Sequence, residues 1–155
     1  MPFMKAFCTL LLMFMTAVAL AADGPYNETA DAKLEIKNAL SAPTNTPIVV
    51  VFGANWCGDC RALDKAMKQG ASASLLETDF RIIKVDVGRF NKNVDVANSY
   101  GVPLSNGIPA IAIISSANKV LYVTKEGELA NARQMGDEGI YRFFKRVTAS
   151  SKAQK

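Results

Sequence analysis

The chain of 155 residues has no histidine, a single tryptophan and only three cysteines: Cys8, Cys57 and Cys60. Without an imidazole there is no Cys–His hydrolase, because such a thiol needs an adjacent base. A closed zinc site is equally hard to build, since tetrahedral zinc wants four nitrogen or sulfur ligands. Two-coordinate Cu(I) on two soft thiolates stays open as an alternative. The formal net charge is only +4, and no basic stripe argues for a nucleic-acid partner. No phosphate-cradling glycine loop follows a strand. Internal repeats, low-complexity stretches and a second domain are also lacking. What remains is an ordinary globular composition, 50% hydrophobic and 21% charged, long enough for one domain with a sizeable core.

The first 21 residues stand apart. Met1 to Lys5 is a short basic segment, Ala6 to Leu20 is apolar, and Ala19-Leu20-Ala21 matches an A-x-A cleavage site. This three-part pattern reads as a secretory signal peptide, leaving one domain over 22–155. The apolar run is too short and wrongly flanked for a membrane span, so an uncleaved anchor is the weaker reading. Removing Lys5 and Cys8 leaves seventeen basic against fourteen acidic residues, a charge of +3, and one cysteine pair. The expected location is periplasmic or secreted, an oxidising compartment. Two cysteines three apart close only a tiny loop and staple little, which points to a chemical role.

The stretch 48–63 organises the rest. Ile48-Val49-Val50-Val51-Phe52 is an unbroken apolar run bounded by Pro47 and Gly53. It reads as a strand buried on both faces. Trp56-Cys57-Gly58-Asp59-Cys60 then opens a helical pattern running to about Gln69. A thiol at a helix N-terminus lies near free N–H groups and the positive end of the macrodipole. Both favour the thiolate, the nucleophile of disulfide exchange. A second thiol one turn on can attack the mixed disulfide and release the product. Along this helix Cys60, Leu63 and Met67 share a core face, Arg61, Lys65 and Lys68 a solvated one, and Asp64 and Lys68 form an i,i+4 pair.

Elsewhere the pattern predicts a mobile N-terminus over Ala22 to Tyr26 and an amphipathic helix over 29–40. One helical turn is expected over 73–77, and a buried strand over 80–87, parallel to the first. A short helix follows over 93–100, then a loop from Val102 to Gly107. Strands at 110–114 and 120–124 form a hairpin. Lys125 to Gly136 has no clear pattern. Asp137 caps a last helix carrying Ile140, Phe143, Phe144 and Val147, with Lys145 and Arg146 suited to its C-terminal end and Ser150 to Lys155 a frayed tail. The order is α, β, α, β, α, β, β, α.

The motif Trp56-Cys57-Gly58-Asp59-Cys60 after a buried strand, with Gly107-Ile108-Pro109 just before the hairpin, resembles the thioredoxin family. The resemblance covers about residues 45–150. It implies an α/β thioredoxin fold, a central mixed β-sheet of about four strands flanked by helices. It implies that Cys57 is the exposed attacking thiol and Cys60 the resolving one, cycling between dithiol and disulfide. Trp56 would be a half-exposed lid. Gly58 and Asp59 would line the client path with Trp56, and Ile108 would pair with a bound substrate strand through its backbone. Pro109 would be the family's cis-proline, and Lys84 the lysine that accompanies its buried carboxylate.

Three departures stand out. The carboxylate position, six residues before the first cysteine, is Val51. Asp59 replaces the family's proline between the cysteines. The loops 102–106 and 125–136 are longer than thioredoxin's. The resulting expectation is an exported thiol–disulfide oxidoreductase, a monomer that needs no cofactor and no metal. Its partners would be proteins with disulfides and a membrane-borne thiol electron donor; disulfide isomerase is the alternative. Asp59, as a like charge beside Cys57, should disfavour the thiolate and bias the protein toward reduction.

Overall fold

The structure is a computed structural model that describes residues 24–153. The segment read as a signal peptide, with Cys8, lies outside the described residues. Strand β1 (Ile48–Gly53) is buried along its whole length. The sheet is mixed, in the order β2-β1-β3-β4. Strand β1 runs parallel to β2 (Arg81–Asp86) and antiparallel to β3 (Ala110–Ile114), and β4 (Val120–Val123) closes a hairpin on β3. An interior strand covered on both faces has no position for a polar side chain, which is why the apolar runs of β1 and β3 mark the two central strands.

Helix α1 (Ala32–Leu40) starts at Asp31, whose side chain accepts the Leu34 N–H. It lies against β2. Helices α2 (Gly58–Met67) and α5 (Ala132–Lys152) pack on one another, and α3 (Gly70–Asp79) packs on both. Helix α4 (Val94–Ser99) and a 3-10 turn at Leu104–Asn106 precede β3.

Five expectations change. Strand β2 is not buried throughout, because it forms a sheet edge; Ile82 is exposed and only Val85 and Asp86 are fully covered. Helix α3 is three turns rather than one, and Gly70 opens it in a left-handed conformation (φ 55°). Its small residues bury little beyond Ser72 and Leu76, so it carries almost no apolar stripe to read. Helix α5 starts six residues early, at Ala132 with Asn131 as its cap, and breaks at Gly136 (φ 63°, ψ 177°) before continuing. It extends to Lys152, so Lys145 and Arg146 are interior; they sit over the rings of Tyr141 and Phe143. Ser151 is not frayed but buried, its hydroxyl donating to the Val147 carbonyl. Tyr26, finally, is not part of a mobile end: it is 2% exposed and belongs to the core.

Candidate active site

The site forms where β1 ends and α2 begins. Cys57 is the N-cap of α2, in extended backbone conformation, and its Sγ accepts the Cys60 N–H at 3.1 Å. The helix thus delivers one of its unpaired N–H groups to this sulfur. Cys57 and Cys60 are joined as a disulfide. Cys60 is fully buried (0% exposed), whereas Cys57 keeps 6%. Cys57 is therefore the more accessible of the two but far from open. It is screened by Ile108, whose carbonyl oxygen lies 3.6 Å away. The Ile108–Pro109 peptide bond is cis, and Ile108 is itself buried.

Trp56 is 46% exposed. Its Nε1–H donates to the Gly88 carbonyl at 2.8 Å, and its ring meets Phe90 edge-on at 6.1 Å. The Arg89 guanidinium lies 5.5 Å from the indole centroid, a cation–π distance. Trp56 and Phe90 together make an apolar ledge beside the thiols.

Asp59 is not the unopposed charge that the sequence suggested. Arg133, from the first turn of α5, donates its backbone N–H to Oδ1 at 2.9 Å and a guanidinium N–H to Oδ2 at 3.1 Å. Desolvation pushes the Asp59 carboxyl up, but these bonds outweigh it and hold its pKa below the usual carboxylate range. The guanidinium also covers Gly58; a Cβ there would lie 3.1 Å from it. A cation therefore stands beside the same turn that carries Asp59, and the charge next to Cys57 is balanced rather than lone. A cleft of about 450 Å³ lined by Asp59, Ala130, Asn131, Arg133 and Gln134 opens on this side. The two long loops meet here: Gly107 leaves no room for a Cβ against Ala130, and the Asn106 side-chain amide donates to the Lys125 carbonyl.

Lys84 lies in register with Val51, as the resemblance implies. Its carboxylate partner comes from α2 instead of β1: Lys84 binds Asp64, which also binds Lys68 at 2.8 Å. Desolvation raises the Asp64 pKa, but the two lysines prevail and hold it low.

Two contributors escaped the sequence reading. Arg133 sat in a stretch with no pattern. Tyr26 carries no motif, yet its phenol fills the space above Gly53, where a Cβ would lie 2.2 Å from the hydroxyl and 2.9 Å from Cys60 Sγ. Asn55 holds it there, accepting the Tyr26 N–H at 2.9 Å and donating to its carbonyl at 2.8 Å.

The fold and thiol geometry agree with what comparison finds. A solved structure described as a disulphide isomerase from Xylella fastidiosa is 48% identical, with a TM-score of 0.79, covering 83% of this chain and 99% of that one. Thioredoxin 1 of a Nostoc species is 30% identical over 77 residues, 50% of this chain. A thioredoxin of Mycoplasmoides gallisepticum is 38% identical over 60 residues, 39% of this chain. These matches span 64% and 55% of those two relatives' own lengths. The family model described as Thioredoxin matches residues 28–135, and with that the chain belongs to the thioredoxin family.

Proposed function

We propose that this protein is an exported thiol–disulfide oxidoreductase that reduces or exchanges disulfides in other proteins. The observation that carries the reading is the asymmetry of the sulfur pair. Cys57 Sγ, at the mouth of α2, takes a helix N–H, while Cys60 Sγ is sealed beneath it. A thiolate at Cys57 is stabilised by the dipole and that N–H. It attacks one sulfur of a client disulfide, forming a Cys57–client bond and releasing the other client sulfur as thiolate. Cys60 then attacks Cys57, closing the Cys57–Cys60 disulfide and passing the electron pair to the remaining client sulfur. Gly58 and Asp59 form the turn between the thiols. Trp56 with Phe90 and the Ile108 backbone frame the place where a client segment lies.

Isomerisation is the second reading, favoured by the name of the Xylella protein, since a reduced Cys57 can also reshuffle a client without closing. With Asp59 paired to Arg133, no charge argument sets the two readings apart. Export rests on the three-part N-terminal segment. In an oxidising compartment reducing turnover needs an electron source, and a membrane-borne thiol donor fits that role. We assign the protein as a monomer.

The test is trapping. Cys60→Ser should accumulate mixed disulfides with clients, because release needs the second thiol. Cys57→Ser should trap nothing and lose insulin reduction. Trapping by Cys57→Ser alone would reverse the roles. Recovery of scrambled ribonuclease in a thiol buffer, set against insulin reduction, separates isomerase from reductase.

A further inference from the structure

The loop that follows β2 carries a feature that the fold does not explain. Phe90 is 45% exposed and stands in the left-handed region, at φ 63°. A bulky residue in that region is strained, and this one gains no core burial in return. Hydrogen bonds hold the strained backbone in place. Asn91 and Lys92 both donate their N–H groups to the Val87 carbonyl, the Arg89 N–H goes to Asn91 Oδ1, and the Asn93 side-chain amide reaches the Asp86 carbonyl. The Lys92 ammonium ties the loop to the Glu28 carbonyl and to Asp86. The loop thus keeps one aromatic ring out of the core at a fixed place.

That place is beside the thiols. The Phe90 ring meets Trp56 edge-on at 6.1 Å, and the Arg89 guanidinium lies over the indole, 5.5 Å from its centroid. The indole itself is anchored through Nε1 on the Gly88 carbonyl. A guanidinium seated on a ring uses its face; its edge N–H groups stay available, in the fork that fits a carboxylate. Among the described residues, no carboxylate lies within 4.0 Å of the Arg89 guanidinium.

The charge around this ledge is predominantly positive. Arg61, exposed on α2, donates to the carbonyl of Asn55, the residue before Trp56. Lys92 is half-exposed. The carboxylates nearby are engaged: Asp86 is buried and faces Lys92, Asp59 is bound by Arg133, and Glu28 accepts the Asn55 side-chain amide. What the surface offers a client is an aromatic ledge rimmed by cations.

We propose that Arg89 and Phe90 select the clients of the Cys57 thiol: extended segments that carry an aspartate or glutamate and a large apolar side chain close to the disulfide cysteine. The inference rests on the reading of the Trp56 ledge as the place where a client segment lies. The apolar side chain covers Phe90 and Trp56, and the carboxylate takes the free edge of the Arg89 guanidinium. The loop is already fixed and the guanidinium already seated on the indole, so little order is lost when the client arrives. Rim charges of this kind raise the rate of encounter more than the affinity, so the selection shows in the second-order rate of reduction. A client with lysine at the same places meets like charge and is disfavoured.

The test uses short peptides with one cysteine, each joined by a disulfide to 2-mercaptoethanol, a neutral thiol. The cysteine is flanked by leucine and by either glutamates or lysines. Reduced protein is mixed with each peptide at low salt, and release of the peptide thiol is timed by mass after an acid quench. The glutamate peptide should react about tenfold faster than the lysine peptide, and the margin should close at high salt. Arg89→Glu should reverse the order. Phe90→Ser should shrink the advantage of a leucine peptide over its serine counterpart. A parent protein with no preference, or one that favours lysine, would overturn the proposal, as would an unchanged ratio in either variant. The parent measurement decides alone if a variant does not fold. Should the protein reduce no disulfide, hydroxyethyl disulfide included, the proposed activity fails and the ledge is read by binding instead. Peptides with serine in place of cysteine are then titrated into the oxidised protein and followed by the fluorescence of Trp56, its single tryptophan. Tighter binding of the glutamate form is expected; equal binding, or a response to anionic vesicles and to neither peptide, would overturn the selection.

Discussion

Arg133 and Asp59 are bound twice, through the Arg133 backbone N–H at 2.9 Å and its guanidinium at 3.1 Å, across 74 residues of sequence. The pair bridges the turn that holds Cys57 and the first turn of α5. It balances a negative charge that would otherwise lie unopposed between the two thiols.

Arg133→Gln should therefore make the protein more reducing. Asp59 loses its counter-charge and the Cys57 thiolate is disfavoured. The reduced form becomes less stable relative to the disulfide, and the potential falls. The expected shift is up to about tenfold in the glutathione equilibrium, or roughly 30 mV. Asp59→Asn should move it the other way. Thiolate absorbance across pH reports the Cys57 ionisation. Equal potentials for Arg133→Gln and the parent would show that helix N–H groups alone govern this thiol.

Legibility followed the range of the cause. Strand β1, the thiol turn and the β3–β4 hairpin were readable because their signals are local: an apolar run, a Cys-x-x-Cys spacing, two apolar runs joined by a polar turn. Residues 137–147 were readable because Ile140, Phe143, Phe144 and Val147 form one stripe. The turn before them was not, since what fixes it is Asp59, far away in sequence. Tyr26 was hidden for the same reason: its partners are Asn55 and the side-chain gap at Gly53. Nor could the pattern of β2 reveal that Asp64, rather than a residue of β1, would meet Lys84.

Asn55→Ala should loosen the segment around Tyr26. The substitution removes an acceptor for the Tyr26 N–H and a donor to its carbonyl, and Asn55 also donates to Glu28 at 3.0 Å. Losing partners for buried backbone groups costs about 1–3 kcal/mol. Urea denaturation should show that loss, and amide exchange at Tyr26 should accelerate more than exchange in β3. Equal acceleration in both would indicate global destabilisation instead.

Gly53→Ala should be worse than an ordinary added methyl. The new Cβ would fall 2.2 Å from the Tyr26 hydroxyl, 2.5 Å from its Cζ and 2.9 Å from Cys60 Sγ. The aromatic ring is rigid and its backbone is tied to Asn55, so one of these neighbours must move. Overpacking of this kind costs about 1–3 kcal/mol. Combining it with Tyr26→Ala should remove most of the clash, so the two changes together should cost less than the sum of each alone. Additive costs, measured by denaturant unfolding of the oxidised forms, would place the clash elsewhere.

Asp64 should make stability depend on pH in a defined direction. Its carboxyl is pushed up by desolvation but held low overall by Lys68 and Lys84. A group whose pKa is lower folded than unfolded binds protons more readily in the unfolded chain, so acid favours unfolding. Its contribution is fully present above the unfolded value, about 3.9, and disappears as pH falls through the folded value. Asp64→Asn should thus be less stable than the parent at pH 7 by about 1 kcal/mol, given that Lys68 is largely exposed and its pairing screened. The difference should shrink steadily below pH 4. Lys84→Met should show a smaller pH-dependent loss, because Lys68 still engages the carboxylate. Urea midpoints of the oxidised proteins at pH 7, 5 and 3 measure both, and a difference that stayed constant over that range would assign the effect to packing around α2 rather than to the charge.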